Sequence, residues 1–92
     1  GKITTKPDWV CEVLSPTHEQ RDLVDKLNVM HAAGVPDYWV IDYEERILFL
    51  YRHRPDGYVV RSVAANEVIR AEPFDAVELR VAVIFGDEDD EE

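Results

Sequence analysis

The stretch PDWVCEVLSP, residues 7–16, decides the fold. Its interior is rich in β-branched and aromatic residues and a Ser-Pro pair ends it, which predicts a short strand over residues 8–14. Alternation along a strand puts Glu12 on one face and Cys11 on the other, where we expect Cys11 to be a small core residue. An isolated carboxylate inside an apolar strand would cost several kcal/mol, so Glu12 needs a partner.

A helix is predicted directly after this strand. Thr17 can cap the first backbone amides, and Gln20, three residues later, completes the capping pattern. Gly34 suits the left-handed residue that follows a last helical turn, and Pro36 cannot continue a helix. These signals predict a helix over residues 19–33.

The rest of the chain predicts a sheet. Residues 38–41, YWVI, are apolar on both faces and indicate a central strand, so strand, helix and strand form a right-handed crossover with parallel strands. Further strands are expected over residues 46–52, 58–63 and 68–71, with an apolar stretch over 77–85. The predicted fold class is α/β: a mixed sheet with one crossover helix, extended by antiparallel hairpins.

Composition limits the organisation and the function. The 92 residues carry 10 Lys and Arg against 20 Asp and Glu, and removing the six acidic residues 87–92 from the formal charge of −10 leaves −4. We expect one domain, residues 1–86, followed by a disordered acidic tail, residues 87–92. A chain with this excess of acidic residues lacks the basic stripe that is typical of nucleic-acid-binding modules.

Other protein classes are excluded more simply. A single cysteine cannot form an internal disulfide, and no apolar run approaches the length of a membrane span. No secretion signal is evident either, so we expect a cytoplasmic protein that makes no membrane contact.

The helix carries a charged pair on its expected inner face. At about 100° per residue, Lys26 and Asp22 fall within the same arc as the apolar residues Leu23, Leu27, Val29, Met30 and Ala33. An exposed pair of opposite charges four residues apart is the ordinary interpretation. Alternatively, Lys26 points inward as the nearest cation for Glu12, and Glu12, Lys26 and Asp22 form one cluster.

Other candidate residues are weaker. His18, His31 and His53 lack the spacing of metal ligands, and a triad of Ser15, His18 and Asp22 would require a chance convergence. Trp39 is expected in the core.

The ordered set of motifs resembles the Uma-two family of restriction-endonuclease-like nucleases. The resemblance lies in PDWVCEVLSP, in Asp22 and Lys26, in Gly34-Val35, in YWVID at 38–42 and in RAEPFDAVEL at 70–79. It implies a PD-(D/E)-x-K core that hydrolyses DNA phosphodiester bonds with Mg²⁺. It assigns Glu12 to the metal, Lys26 to the attacking water or the phosphate, and Asp22 to a supporting role.

The resemblance also implies that part of the domain is missing. The family places its first metal-binding aspartate on a strand before this region, and Asp8 lies about 13 Å along the strand from Glu12, too far to replace it. We therefore expect the C-terminal part of a nuclease domain, inactive unless another chain supplies the aspartate. The alternative is a non-catalytic module whose open sheet edge, near Trp9, Val10 and Val13, pairs two copies into a homodimer.

Overall fold

The computed structural model describes residues 7–17 and 19–86. The predicted acidic tail, residues 87–92, and His18 lie outside these residues. The elements, in chain order, are β1 (Trp9–Val13), α1 (Gln20–Ala32), β2 (Asp37–Asp42), β3 (Ile47–Arg54), β4 (Gly57–Ala64), β5 (Val68–Ile69), β6 (Leu79–Arg80) and α2 (Val81–Ile84). No helix in the described ranges is long and apolar enough to cross a membrane.

The main sheet is mixed, as predicted. Its strand order is β1-β2-β3-β4, and β5 and β6 form a separate antiparallel pair. β1 runs parallel to β2, with Trp9 opposite Asp37, whereas β2, β3 and β4 are consecutive antiparallel neighbours. The α/β fold class and the parallel crossover through α1 are therefore confirmed.

The end of α1 matches the sequence prediction, whereas its start does not. Gly34 has a φ of 78°, and its amide and that of Val35 donate to the carbonyl oxygens of His31 and Met30 at 2.9 and 3.1 Å. This is the predicted left-handed end of the helix. The predicted cap at Thr17 is wrong: Glu19 is the residue before the first turn and makes no side-chain capping bond.

A turn before the helix explains the failed cap. The Ser15 hydroxyl accepts a hydrogen bond from the Thr17 amide at 3.2 Å and lies 3.1 Å from the Thr17 hydroxyl. Because Thr17 is held in this turn, the helix begins three residues later, at Gln20.

The apolar core lies on the sheet face opposite α1. It joins the sheet to the C-terminal elements through the buried side chains of Trp39, Ile41, Leu48, Leu50, Val63, Ile69, Ala71, Val81 and Phe85. Trp39 is thus a core residue, as expected. The predicted strand over 68–71 is shorter, and the apolar stretch over 77–85 divides into β6 and α2.

Helix α1 covers the other face of the sheet and buries no residue completely. Leu23, Leu27 and Met30 are half-buried, but Val29 is 63% exposed and Ala33 is also exposed. The inner face is therefore rotated from the predicted arc toward His31, because this side of the sheet presents histidine and tyrosine rings. His31 stacks on His53 with ring centres 4.2 Å apart.

Candidate active site

The predicted contact between Lys26 and Glu12 is present. The Lys26 ammonium donates a hydrogen bond to Glu12, with Nζ 3.0 Å from Oε1. Glu12 comes from β1, on the face that α1 covers, and Lys26 comes from the middle turns of α1. The crossover that joins the two elements therefore brings together residues 14 positions apart in the sequence.

The pair is more exposed than the sequence predicts. The Glu12 side chain is 28% exposed and the Lys26 side chain is 56% exposed, so the prediction that Lys26 is turned inward, away from solvent, is wrong. Lys26 lies at the margin of the helix face, because the rotated inner face of α1 turns it toward solvent. Water therefore screens the interaction, although the two charges remain in direct contact.

A cleft of about 460 Å³ surrounds this pair, where the end of β1 meets the start of α1. Its charged lining consists of Glu12, Asp22, Asp25 and Lys26, so three carboxylates face one ammonium. Asp22 is thus placed in the same cleft as Glu12 and Lys26, as predicted from the sequence. A cleft with this excess of negative charge favours a cation over a free phosphate.

The described residues do not complete a metal centre by themselves. Carboxylate oxygens are suitable ligands for Mg²⁺. However, among residues 7–17 and 19–86 no group of three His, Cys, Asp or Glu side chains converges enough to hold an ion. The carboxylates of the cleft therefore line it without meeting at one point.

Sequence reasoning missed a tyrosine beside this pair. The Tyr38 hydroxyl is buried and makes no regular hydrogen bond within the described part of the chain. Burial raises the pKa of this phenol, and the charge of Glu12 and a polar interaction with it raise the pKa further. The parallel register explains this proximity. Val10 pairs with Tyr38 and Glu12 pairs with Val40, which puts Tyr38 diagonally across from Glu12.

The remaining candidates lie elsewhere. Cys11 is exposed, which corrects its assignment to the core; β1 is an outer strand of the described sheet, so this side of it is poorly covered. His31 and His53 stack against each other, and the Nε2 of His31 lies 2.6 Å from the Arg54 carbonyl oxygen. The Ser15 hydroxyl accepts a hydrogen bond from the Thr17 amide, and the triad of Ser15, His18 and Asp22 includes His18, which lies outside the described residues.

Comparisons with known proteins concern the family and the fold of the chain. The model of the Uma2 family, described as "Putative restriction endonuclease", matches residues 1–82. A crystal structure from Anabaena variabilis ATCC 29413, described as "a putative nuclease belonging to DUF820", is similar with a TM-score of 0.68 and 23% sequence identity. The similarity covers 87% of this chain but only 44% of the Anabaena chain. No curated protein matches significantly.

Proposed function

Because the chain belongs to the Uma2 family, we propose that it forms part of an Mg²⁺-dependent endonuclease that hydrolyses DNA phosphodiester bonds. The observation that supports this proposal is the 3.0 Å contact between Lys26 and Glu12, at the mouth of an acidic cleft. A carboxylate and a lysine in contact are two of the charged groups that metal-assisted phosphodiester hydrolysis requires. Membership of this family supports a catalytic interpretation of the pair.

Each residue has a role in this proposal. Glu12 is the metal ligand, and a bound Mg²⁺ would supply a water of lowered pKa and neutralise phosphate charge. Lys26 keeps its ammonium at the cleft, where it stabilises the negative charge that develops on the phosphate. Asp22, one helical turn before Lys26, supports the orientation of the lysine and adds negative potential.

The proposal requires a further acidic ligand from outside the described residues. The described carboxylates do not form a metal site. The chain also spans less than half of the similar Anabaena chain. We therefore propose that another polypeptide segment supplies the missing aspartate, and that this chain alone cleaves DNA slowly or not at all.

The test is a plasmid-nicking assay in trans. Supercoiled plasmid is incubated with Mg²⁺ and the chain, with and without the part of the Anabaena protein that the chain does not match. We expect nicking only when both components and Mg²⁺ are present. Lys26→Ala and Glu12→Gln should each abolish it, whereas Arg21→Gln, on the outer face of α1, should not. Equal nicking by wild type and Lys26→Ala would contradict the proposal.

A second candidate function is a homodimeric interaction module. Among the described strands, β1 pairs with β2 alone, and an apolar groove of about 320 Å³ lies along it. Trp9, Cys11, Phe74 and Val77 line this groove, and all four are exposed. An open strand edge beside exposed apolar side chains is a template for pairing with a second copy of the chain.

Sedimentation velocity tests this second function. We expect wild type to dimerise at tens of micromolar and Val13→Lys, which adds a charge to the edge strand, to be monomeric. A wild-type protein that stays monomeric at these concentrations would exclude the module. Dimerisation without Mg²⁺-dependent nicking in the assay above would favour it over the nuclease.

A further inference from the structure

The fold gathers four of the seven arginines of the chain around one groove. This arginine groove has a volume of about 280 Å³, and its charged lining is Arg52, Arg54, Arg61 and Arg70 with Asp37 and Glu72. Arg52 and Arg61 share a sheet face with Leu50, which belongs to the core. The groove therefore opens on the side of the sheet opposite the cleft of Glu12 and Lys26.

Ion pairs within the described part of the chain involve two of these four guanidinium groups. The Nη1 of Arg52 lies 3.7 Å from the Oε1 of Glu72, and the Nη2 of Arg70 lies 4.0 Å from the Oε2 of Glu78. Arg54 donates only to the carbonyl oxygen of its neighbour His53, and Arg61 makes no hydrogen bond or ion pair with the described residues. Within residues 7–17 and 19–86, two exposed and permanently charged side chains thus have no carboxylate partner, in a protein whose acidic residues outnumber its basic ones two to one.

This concentration of like charge calls for an anionic ligand. Arg52 pairs with Val59, so Arg61 is its diagonal neighbour across β3 and β4, at about 7–8 Å between Cα atoms. Neighbouring guanidinium groups repel each other unless an anion lies between them. The planar fork of arginine matches the oxygens of a phosphate in two parallel hydrogen bonds, which lysine cannot reproduce.

We propose that the arginine groove binds the sugar-phosphate backbone of a nucleic acid, as a second contact remote from the cleft. The choice of a nucleic acid over an acidic protein rests on the proposed nuclease function, whereas the choice of an anion rests on the groove alone. The groove holds the DNA strand while the Lys26 cleft acts on it. An acidic chain thereby acquires the local positive surface that its composition does not suggest.

The test is fluorescence anisotropy with a short labelled oligonucleotide in EDTA, so that neither metal nor cleavage takes part. Arg54→Gln and Arg61→Gln should each weaken binding severalfold. A plot of the logarithm of the binding constant against the logarithm of the salt concentration has a negative slope. Each substitution should make this slope less steep by about 0.7–0.9, which corresponds to the loss of one phosphate contact. Arg21→Gln removes the same charge from α1, in the opposite layer, and should change neither quantity. Far-ultraviolet circular dichroism checks that all variants are folded.

Two results would overturn the proposal. Equal weakening by Arg21→Gln and Arg61→Gln would mean that only net charge matters. Tighter binding of a poly-glutamate peptide than of the oligonucleotide would assign the groove to an acidic protein partner. The two proposals fail separately, because the absence of nicking in trans would leave this metal-free binding, and its weakening by Arg54→Gln and Arg61→Gln, unaffected.

Discussion

Lys26 reaches Glu12 from the solvent side of the structure: Nζ lies 3.0 Å from Oε1 while 56% of the lysine side chain stays exposed. A contact of this kind contributes little to stability, since water competes for both charges. We predict that Lys26→Ala lowers the free energy of unfolding by less than about 1 kcal/mol. Urea denaturation measures this, with Arg21→Ala as a control for helix propensity. A loss of more than about 2 kcal/mol would show that Glu12 depends on Lys26 as a buried charge does.

The buried Tyr38 hydroxyl leads to a prediction of the opposite sign. It lacks a regular hydrogen bond within the described residues, and an unsatisfied buried hydroxyl costs about 1–3 kcal/mol. Tyr38→Phe keeps the ring and should leave stability unchanged or raise it by about 1 kcal/mol. Thermal and urea unfolding will measure the change, with Tyr58→Phe as the contrast. The Tyr58 hydroxyl donates to the Val35 carbonyl oxygen at 2.7 Å, so its removal should destabilise the protein. A clear loss of stability in Tyr38→Phe would point instead to a strong bond with Glu12.

Stability should also fall in alkaline solution. Burial raises the pKa values of Tyr38, Tyr51 and Tyr58 in the folded chain. In the unfolded chain each phenol ionises near pH 10, so the unfolded state loses protons first and is favoured as the pH rises further. We expect the contribution of these tyrosines to the free energy of unfolding to be constant below pH about 10. Above this pH, the free energy of unfolding should decline by up to about 1.4 kcal/mol per pH unit for each such tyrosine. Urea titrations across this range should show a shallower decline in Tyr38→Phe, and an unchanged slope would contradict the assignment.

The end of α1 provides a backbone test. Gly34 has a φ of 78°, a conformation that a β-carbon disfavours by about 1–2 kcal/mol. Gly34→Ala should therefore lower the free energy of unfolding by about 1 kcal/mol or more, as measured by urea denaturation. Gly34→Asn is the matched variant and should cost less, because asparagine tolerates this region. Equal effects of the two substitutions would mean that the loss has another origin.

The acidic residues 87–92 should oppose nucleic-acid binding through their charge. Deleting them removes six of the twenty acidic residues, which reduces repulsion of phosphates. We predict tighter oligonucleotide binding by the shortened chain at low salt and a vanishing difference at high salt, where such charges are screened. Replacing the six residues with serine and asparagine should reproduce the effect. A difference that persists at high salt would indicate contacts other than charge.

Local patterns predicted the part of the fold that depends on neighbouring residues. The strand, helix and strand around Gly34 could be read from the sequence because capping and alternation act over a few residues. The contact of Lys26 with Glu12 also followed, since a helix that connects two parallel strands must lie over the first of them. The Thr17 cap failed for an equally local reason: the Ser15 hydroxyl accepts a hydrogen bond from the Thr17 amide and holds Thr17 in a turn before the helix.

The rest depended on strand order and register, which no short pattern contains. Cys11 was expected to be buried because alternation puts it on the strand face opposite Glu12, but β1 lies at the edge of the described sheet, where that face is poorly covered. The arginine groove escaped notice because Arg52, Arg61 and Arg70 are far apart in the sequence and meet only through the β3–β4 pairing and the segment after β5. The position of Tyr38 beside Glu12 likewise required the parallel register.

The edge position of β1 affects which part of the protein unfolds locally. β2, β3 and β4 pair as consecutive antiparallel neighbours and share the main core, whereas β1 joins them only across the whole helical crossover, and α1 buries no residue completely. Contacts between segments that are far apart in the sequence form late in folding, and contacts that bury little apolar surface break first. We therefore expect amide hydrogens of β1 and α1 to exchange with solvent through local unfolding, while those of the β2–β4 meander exchange only when the whole domain unfolds. Glu12 and Lys26 both belong to this less stable layer, so the candidate site can come apart and reassemble while the remainder of the protein stays folded.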